Sequence, residues 1–424
     1  ATTSKAHTAV KIDPHYFNDG VIYVSDASRA VGVATTLLST DMKPAFIEKT
    51  REEYKVVRER LANKQPKAPR LTYVDAIKNG LQTDWHNYRP PVPNQLGTQV
   101  IRNYPLETLV PYIDWTPFFI SWSLAGKYPK ILEDDIVGEA ARDLFEQAQV
   151  MLKDLIDNNR LDARAVFSLQ PAARIAADDV AIYADESRQN VTHTFHHLRQ
   201  QTDNVKRKPN LSLADFVADA QSPAQDYLGG FTVSIFGAEE MAIDYRAKGD
   251  DYSAILVQSL ADRMAEAFAE HLHERVRKEF WGYASDETLD NDALIKEQYV
   301  GIRPAPGYPA CPEHSEKATL FNWLNSTEVI GTKLTESYAM WPPSSVSGFY
   351  YSHPESDYFN VGKIDRDQLA DYAQRPRSGP AVFADGPDLL VRHGRGFRGA
   401  FWLHGPWQAP GSRARSQNRR IIGL

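Results

Sequence analysis

The sequence predicts a protein of mixed helix and strand, with long amphipathic helices set between short strands. Three observations carry this. Residues 136–157 place Ala141, Leu144, Phe145, Ala148, Leu152 and Leu155 on one helical face. Residues 252–281 repeat the pattern at greater length, with Ile255, Leu260, Met264, Phe268, Leu272 and Val276 as the face to be buried. Around them, 165–169, 180–183, 229–237 and 346–351 are apolar or alternating runs of strand length.

The 424 residues suffice for two or three domains, or for one large domain with extensions. Apolar and charged fractions are those of an ordinary water-soluble chain, and no apolar run reaches membrane-spanning length. A net charge of −7 gives no argument for a nucleic-acid partner. Cys311 is the only cysteine, which excludes internal disulfides and every multi-cysteine metal site. That usage fits a reducing compartment, and a cytoplasmic location is expected. The first residue is Ala, not Met, and ATTSKAHTAVKI looks like the middle of a protein. A fragment or a processed form is expected.

In chain order, 21–24 (VIYV) fits a buried strand, and Asp26 or Ser28 is placed to cap a helix beginning near Arg29. Strand, tight loop and helix make one Rossmann-like unit, which cannot cover its own sheet edge and so implies missing partners. Asp13-Pro14-His15 resembles the start of a cobalt-ligating Asp-x-His-x-x-Gly motif but lacks the glycine, so His15 reads as a surface residue. Residues 44–62 form a charged amphipathic helix with Phe46, Tyr54, Val57 and Leu61 at near-helical spacing. Proline-containing stretches at 64–70 and 88–93 read as connections into a main domain. Asp114 precedes an aromatic run and suits an N-cap. His193, His196 and His197 precede a predicted helix and lack metal-ligand spacing; His271 and His273, two apart, cannot chelate from one helix face. The paired Gly229 and Gly230 would admit a ligand or a bulge.

The most informative stretch is 301–314, GIRPAPGYPACPEH. Its four prolines exclude a helix and hold the chain extended, so much of its conformational entropy is lost in advance. Gly307 lets the backbone approach a neighbour closely. Arg303 offers a planar fork for a carboxylate or phosphate, and Tyr308 adds a ring and a hydroxyl. A stiff loop with these groups is either a ligand cradle or a proline-rich connection between helices.

Arg303-x-x-x-Gly307-Tyr308 within RPAPGYPACPEH resembles the S-adenosylmethionine (AdoMet) signature of the reactivation domain of cobalamin-dependent methionine synthase. IDWTPFFISWSLAGKYP, HHLRQQT, EHLHERVRKEFWGYA and KLTESYAMWPPSSVSGFYYSHPESDYF resemble that family in the same order and spacing, over roughly residues 1–375. The resemblance implies an α+β fold: a mainly antiparallel sheet with flanking helices and a helical insertion, preceded by a remnant of a Rossmann-like βα unit. It implies a C-terminal remnant of the cobalamin-binding domain at 1–65, a linker at 66–97 and an AdoMet-binding domain at 98–375. Residues 376–424 depart from the family as an Arg/Gly/Pro-rich tail. From Arg375 the chain carries nine arginines, no lysine and two acids. Such a tail suits RNA binding, a reading-frame change or a disordered extension.

The resemblance also assigns residues. Asp114, Glu266, Arg303, Ala305, Gly307, Tyr308 and the pair Tyr358-Phe359 fall at AdoMet-contacting positions, with Phe359 standing where the family has a second tyrosine. Ala27 falls where the loop backbone touches the corrinoid. No catalytic side chain and no metal ligand is implied. The implied function is support of reductive methylation of cob(II)alamin to methylcobalamin, in methionine biosynthesis, with AdoMet as methyl donor. The implied partners are the cobalamin-binding domain and a flavodoxin-type electron donor; a monomer is expected, with no nucleic acid and no membrane. The alternative is an AdoMet-binding or protein-interaction module without methyl transfer of its own.

Overall fold

The computed structural model describes residues 4–16, 20–25, 27–62, 69–203 and 208–375. The tail at 376–424 lies outside them. The chain divides into two compact units, and among the described residues the division in sequence falls between Pro69 and Arg70.

In the first unit, α1 (Ala27–Leu38) and α2 (Lys43–Ala62) are the main elements. Tyr54 of α2 is buried, and its hydroxyl accepts the Tyr23 N–H at 2.8 Å. Residues 21–24 are not a strand. No described neighbour supplies a ladder, and an apolar run becomes a strand only when its N–H and C=O groups are paired. The helix half of the expected βα unit is present; the strand half is not. Asp13 pairs with Arg58 at 2.7 Å, and His15 is exposed.

The second unit is built on one antiparallel sheet. Its strands are β1 (Gly97–Ile101), β2 (Asp162–Arg174), β3 (Asp179–Tyr183), β4 (Val191–His196), β5 (Asp226–Phe236) and β6 (Ser345–Tyr350). The order is β4-β3-β2-β5-β6. The long β2 gives one edge to β5 and divides the other between β1 and β3. Alternation along β2 separates the two faces. Ala163, Ala165, Phe167 and Leu169 enter one core, and Val166 and Ala172 enter the other.

The first core is closed by α4 (Trp115–Ser121), α5 (Gly138–Asp157) and α7 (Asp251–Arg275), the last following α6 (Ala238–Ala247). The second is closed by α8 (Glu316–Leu324) and the 302–311 loop. Both predicted amphipathic helices are therefore present. Ile255, assigned to the buried face of the longer one, is nearly half exposed. The helix is covered on all sides further on, from Ala267 to His273.

Two local readings change. No helix follows His197 directly, so the three histidines sit on or just after β4 and not before a helix. The paired glycines on β5 make neither a bulge nor a ligand opening: register is regular through Gly229 and Gly230. A Cβ on Gly230 would stand 2.4 Å from the Trp323 ring, and one on Gly229 would stand 2.8 Å from Leu169 and Tyr350. These glycines are where large rings cross the sheet.

Residues 70–96 are bound into the second unit. α3 (Tyr73–Lys78) is capped by Thr72, the Leu71 N–H donates to Gln201 O at 2.8 Å, and Trp281 Nε1–H donates to Pro91 O at 2.8 Å. α9 (Arg366–Gln374) packs Tyr372 beside Leu198 and Val361.

Candidate functional site

The proline-rich loop is fastened to the edge of the sheet. Ile302 and Tyr351 exchange two backbone bonds of 3.0 Å, just past the end of β6. Pro304, which has no N–H to give, accepts the Phe349 N–H at 2.9 Å. The chain then turns twice. Ala305-Pro306-Gly307-Tyr308 closes with Tyr308 N–H to Ala305 O at 3.1 Å; Pro306 presets the first corner, and Gly307 takes φ +97° at the second. A side chain at 307 would be strained there, and its Cβ would meet the His314 ring at 2.5 Å. The next turn closes with Cys311 N–H to Tyr308 O at 2.9 Å, and Gly307 N–H donates to Cys311 O at 2.7 Å. Cys311 is buried, and burial holds its thiol well above the usual range. It is an anchor of the loop.

Arg303 leaves this loop toward α7. Its Nη1 and Nη2 donate to Glu270 Oε1 at 3.0 Å and Oε2 at 2.6 Å. Nη1 also donates to the Tyr299 hydroxyl at 2.8 Å and lies 3.3 Å from His273 Nδ1. The backbone N–H of Arg303 donates to the Tyr358 hydroxyl at 2.9 Å, so Tyr358 fixes the same residue from the other side. Glu270 is buried, whereas the Arg303 side chain keeps 20% of its surface. His273 is fully buried and stacked on Tyr350 at 5.2 Å; burial, reinforced by the charges of Arg277 and Arg303, keeps it neutral to well below its usual pKa.

α7 carries Asp262, Glu266 and Glu270 at four-residue spacing, which is one helical stripe. Asp262 accepts the Ser344 hydroxyl at 2.7 Å. Glu266 is exposed, yet crowding by protein raises its carboxyl, with Asp262 and Glu270 adding to the rise and Arg263 and Arg303 opposing it. Tyr308 is 46% exposed, and its hydroxyl is still pushed up to about 12, by burial first and by Glu266 second. The charges of Glu266 and Arg303 both act on Tyr308, and that of Arg303 acts on Glu266, so the three are electrostatic neighbours.

The other sequence-derived candidates fall as follows. Asp114 caps α4, its Oδ1 accepting the Thr116 N–H at 2.9 Å, and α4 packs on α7. The capping reading is thus realised, on an element beside the helix that bears Glu266. Ala305 is buried under the turn, against Gly348. Phe359, next to Tyr358, faces Phe216 with ring centroids 6.3 Å apart and packs with Leu198, Val361 and Tyr372. Ala27 begins α1 in the first unit. Among the described residues no cluster of three His, Cys, Asp or Glu is arranged for a metal, and no helix is long and apolar enough to cross a membrane. His193 meets Asn322, His196 meets Asp179 at 2.9 Å, and His197 meets the Tyr351 hydroxyl at 3.1 Å.

Glu270 and Tyr299 are not singled out from sequence, and His273 only as half of a pair that cannot chelate. A signal did exist for Glu270: it is the one acid in the stretch 267–273, AFAEHLH, four residues beyond Glu266. A carboxylate buried there requires a cation, and the sequence does not say which.

A family profile described as the activation domain of vitamin B12-dependent methionine synthase matches residues 105–377. Among solved structures, the crystal structure of the MetH reactivation domain bound to AdoHcy is 53% identical in sequence. That match covers 72% of this chain and 94% of that one, with a TM-score of 0.70. The chain belongs to the family of vitamin B12-dependent methionine synthase activation domains.

Proposed function

We propose that the second unit binds AdoMet between the 303–308 loop and α7, and that it supports reductive methylation of cobalamin held by the cobalamin-binding domain of methionine synthase. The observation that carries this is the pinned loop, which sets Arg303, Gly307 and Tyr308 opposite Glu266. The AdoHcy bound by the matching reactivation domain supports the same choice of ligand.

The chemistry assigns a task to each group. AdoMet carries a carboxylate at one end of its amino acid and cationic ammonium and sulfonium centres close by. Arg303 suits the carboxylate, with charge-assisted bonds of the strong kind. Glu266, and Asp114 on the neighbouring helix, suit the cations. Gly307 allows backbone contact with the adenosine half, and Tyr308 and Tyr358 border it. No side chain is asked to act as acid or base.

Cobalamin is the acceptor substrate: one electron reduces cob(II)alamin, and transfer of the AdoMet methyl then yields methylcobalamin and AdoHcy. The protein's contribution is positioning, which converts an encounter between two bound groups into an effectively unimolecular step. In this reading the electron comes from a flavodoxin-type donor, the parent enzyme is 5-methyltetrahydrofolate–homocysteine methyltransferase, the module is monomeric and it works in the reducing cytoplasm. The division at 1–65, 66–97 and 98–375 belongs to the same proposal, with Ala27 next to the corrinoid.

The test mixes this chain with separately purified cobalamin domain, a reductant and AdoMet. Methylcobalamin formation is expected. AdoMet binding without methylcobalamin would leave a binding module with no transfer of its own.

A further inference from the structure

Arg303 is surrounded by carboxylates, and only one of them grips it. The Glu270 bond is end-on: each terminal nitrogen of the guanidinium donates to one carboxylate oxygen, at 3.0 and 2.6 Å. The second hydrogen of Nη1 is used by the Tyr299 hydroxyl and His273 Nδ1. A guanidinium has five N–H groups in a fixed plane. What these bonds leave is the side edge, made of Nε–H and the second Nη2–H. None of the bonds described takes that edge, and the Arg303 side chain keeps 20% of its surface.

The clamp is itself held in place. Glu270 is on the fully packed stretch of α7. Tyr299 stands edge-on to His273 at 4.9 Å and lies under the Arg277 guanidinium, which is 4.3 Å from its ring. Arg277 in turn grips Glu287 through Nε and Nη2. An unclamped arginine has many rotamers, and fixing one of them on binding costs affinity.

We propose that Glu270, supported by Tyr299, is a positioning residue that orients the Arg303 fork so that its Nε/Nη2 edge receives the carboxylate of the bound AdoMet. Glu270 does not touch the ligand. It fixes the rotamer of the residue that does, and it uses the end of the fork that the ligand does not need. The inference rests on the AdoMet reading above.

The test is carboxylate discrimination. Dissociation constants for AdoMet and for decarboxylated AdoMet are measured on the wild type, Glu270→Gln, Tyr299→Phe and Arg303→Ala. The wild type prefers AdoMet by about ten- to a hundredfold, the usual value of a charged hydrogen-bonded pair. In Glu270→Gln one carboxylate oxygen becomes an NH₂ facing an Nη, so the end-on grip is lost. Its preference falls to that of Arg303→Ala, while its affinity for the decarboxylated compound stays within about threefold of wild type. Tyr299→Phe, which keeps the ring and removes one acceptor, falls part of the way and serves if Glu270→Gln does not fold. A wild-type preference retained in both variants, or an equal loss for both compounds, overturns the positioning role. A wild type that binds neither compound overturns the AdoMet reading itself.

Discussion

Arg199 and Arg303 are both held by carboxylates on the same unit, and they are held differently. Arg199 is sealed, with 1% of its side chain exposed. Nη1 donates to Asp215 and to Asn210 O, and Nη2 reaches Asp215, Asp178 and Ala177 O. Tyr73 completes the cluster through its 2.6 Å bond to Asp178. Arg303 has one carboxylate, one hydroxyl and one imidazole nitrogen, and keeps 20% of its side-chain surface. Two acids around one buried cation have no capacity left for a ligand, so Arg199 ties α3 to the sheet. One acid holding only the end of a fork leaves the side to bind something else. Partner count and residual exposure separate the two roles where residue type does not.

The contrast is broken most strongly at the sealed site. Arg199→Ala leaves Asp178 buried without its paired cation and Asp215 with Arg174 alone, and the expected loss is about 3–5 kcal/mol of folding stability. Urea denaturation checks it, and AdoMet affinity of the remaining folded protein should be unchanged. Arg303→Ala should do the converse: binding weakens by roughly 2–4 kcal/mol, about thirty- to a thousandfold. Arg303→Lys should restore only part, because a point charge cannot match a planar fork. A loop arginine facing a groove would be neutral for stability. Glu270, buried and left unpaired, predicts a lower melting temperature as well, smaller than that of Arg199→Ala because Arg303 is partly solvated.

Asp226 supplies a sealed carboxyl of a third kind, gripped by the N–H groups of Ala218 and Tyr227 at 2.9 and 2.8 Å and by no arginine fork. Burial pushes it up to about 7, against those bonds and the nearby Arg188 charge. Its folded value lies above that of an unfolded aspartate, near 3.9. The native state therefore holds the proton more tightly, and the contribution is complete below about pH 4 and lost as pH rises toward 7. Asp226→Asn should flatten that part of the stability-against-pH curve, by on the order of a few kcal/mol across the window. Parallel curves for the two proteins would contradict it. Asp114→Ala is the smallest change, about 1 kcal/mol from the lost cap of α4, read as a shift in melting temperature. A fall in AdoMet affinity beyond that would place the carboxylate on the ligand too.

The long elements of this fold were legible because they announce themselves by period. The helix at 138–157, the helix at 251–275 and the strands near 165, 180, 230 and 346 all follow from which side chains must leave water. The 21–24 strand failed for the reason the others succeeded. Apolar content is local, but a ladder needs a partner that local sequence cannot guarantee. The prolines of 301–314 predict an extended chain, and the structure turns at 305–308 instead, because the φ that Pro306 fixes suits a corner as well as an extended run and Gly307 takes the positive φ that follows. Which way Arg303 would point was not legible. Its orientation depends on Glu270, thirty-three positions earlier, meeting it across the packed face of α7. Tyr358 and Phe359 show the same limit: these adjacent residues diverge, one to the loop and one to the Phe216 cluster.

The central claim is that this chain by itself holds an AdoMet site organised by the 303–308 loop. Titration calorimetry with AdoMet, with neither cobalamin nor metal present, tests it most directly when wild type and Arg303→Ala are run side by side. One site per chain is predicted, weakened about thirty- to a thousandfold in the variant. No heat and no thermal shift at saturating AdoMet, or equal affinities in the two proteins, would contradict it.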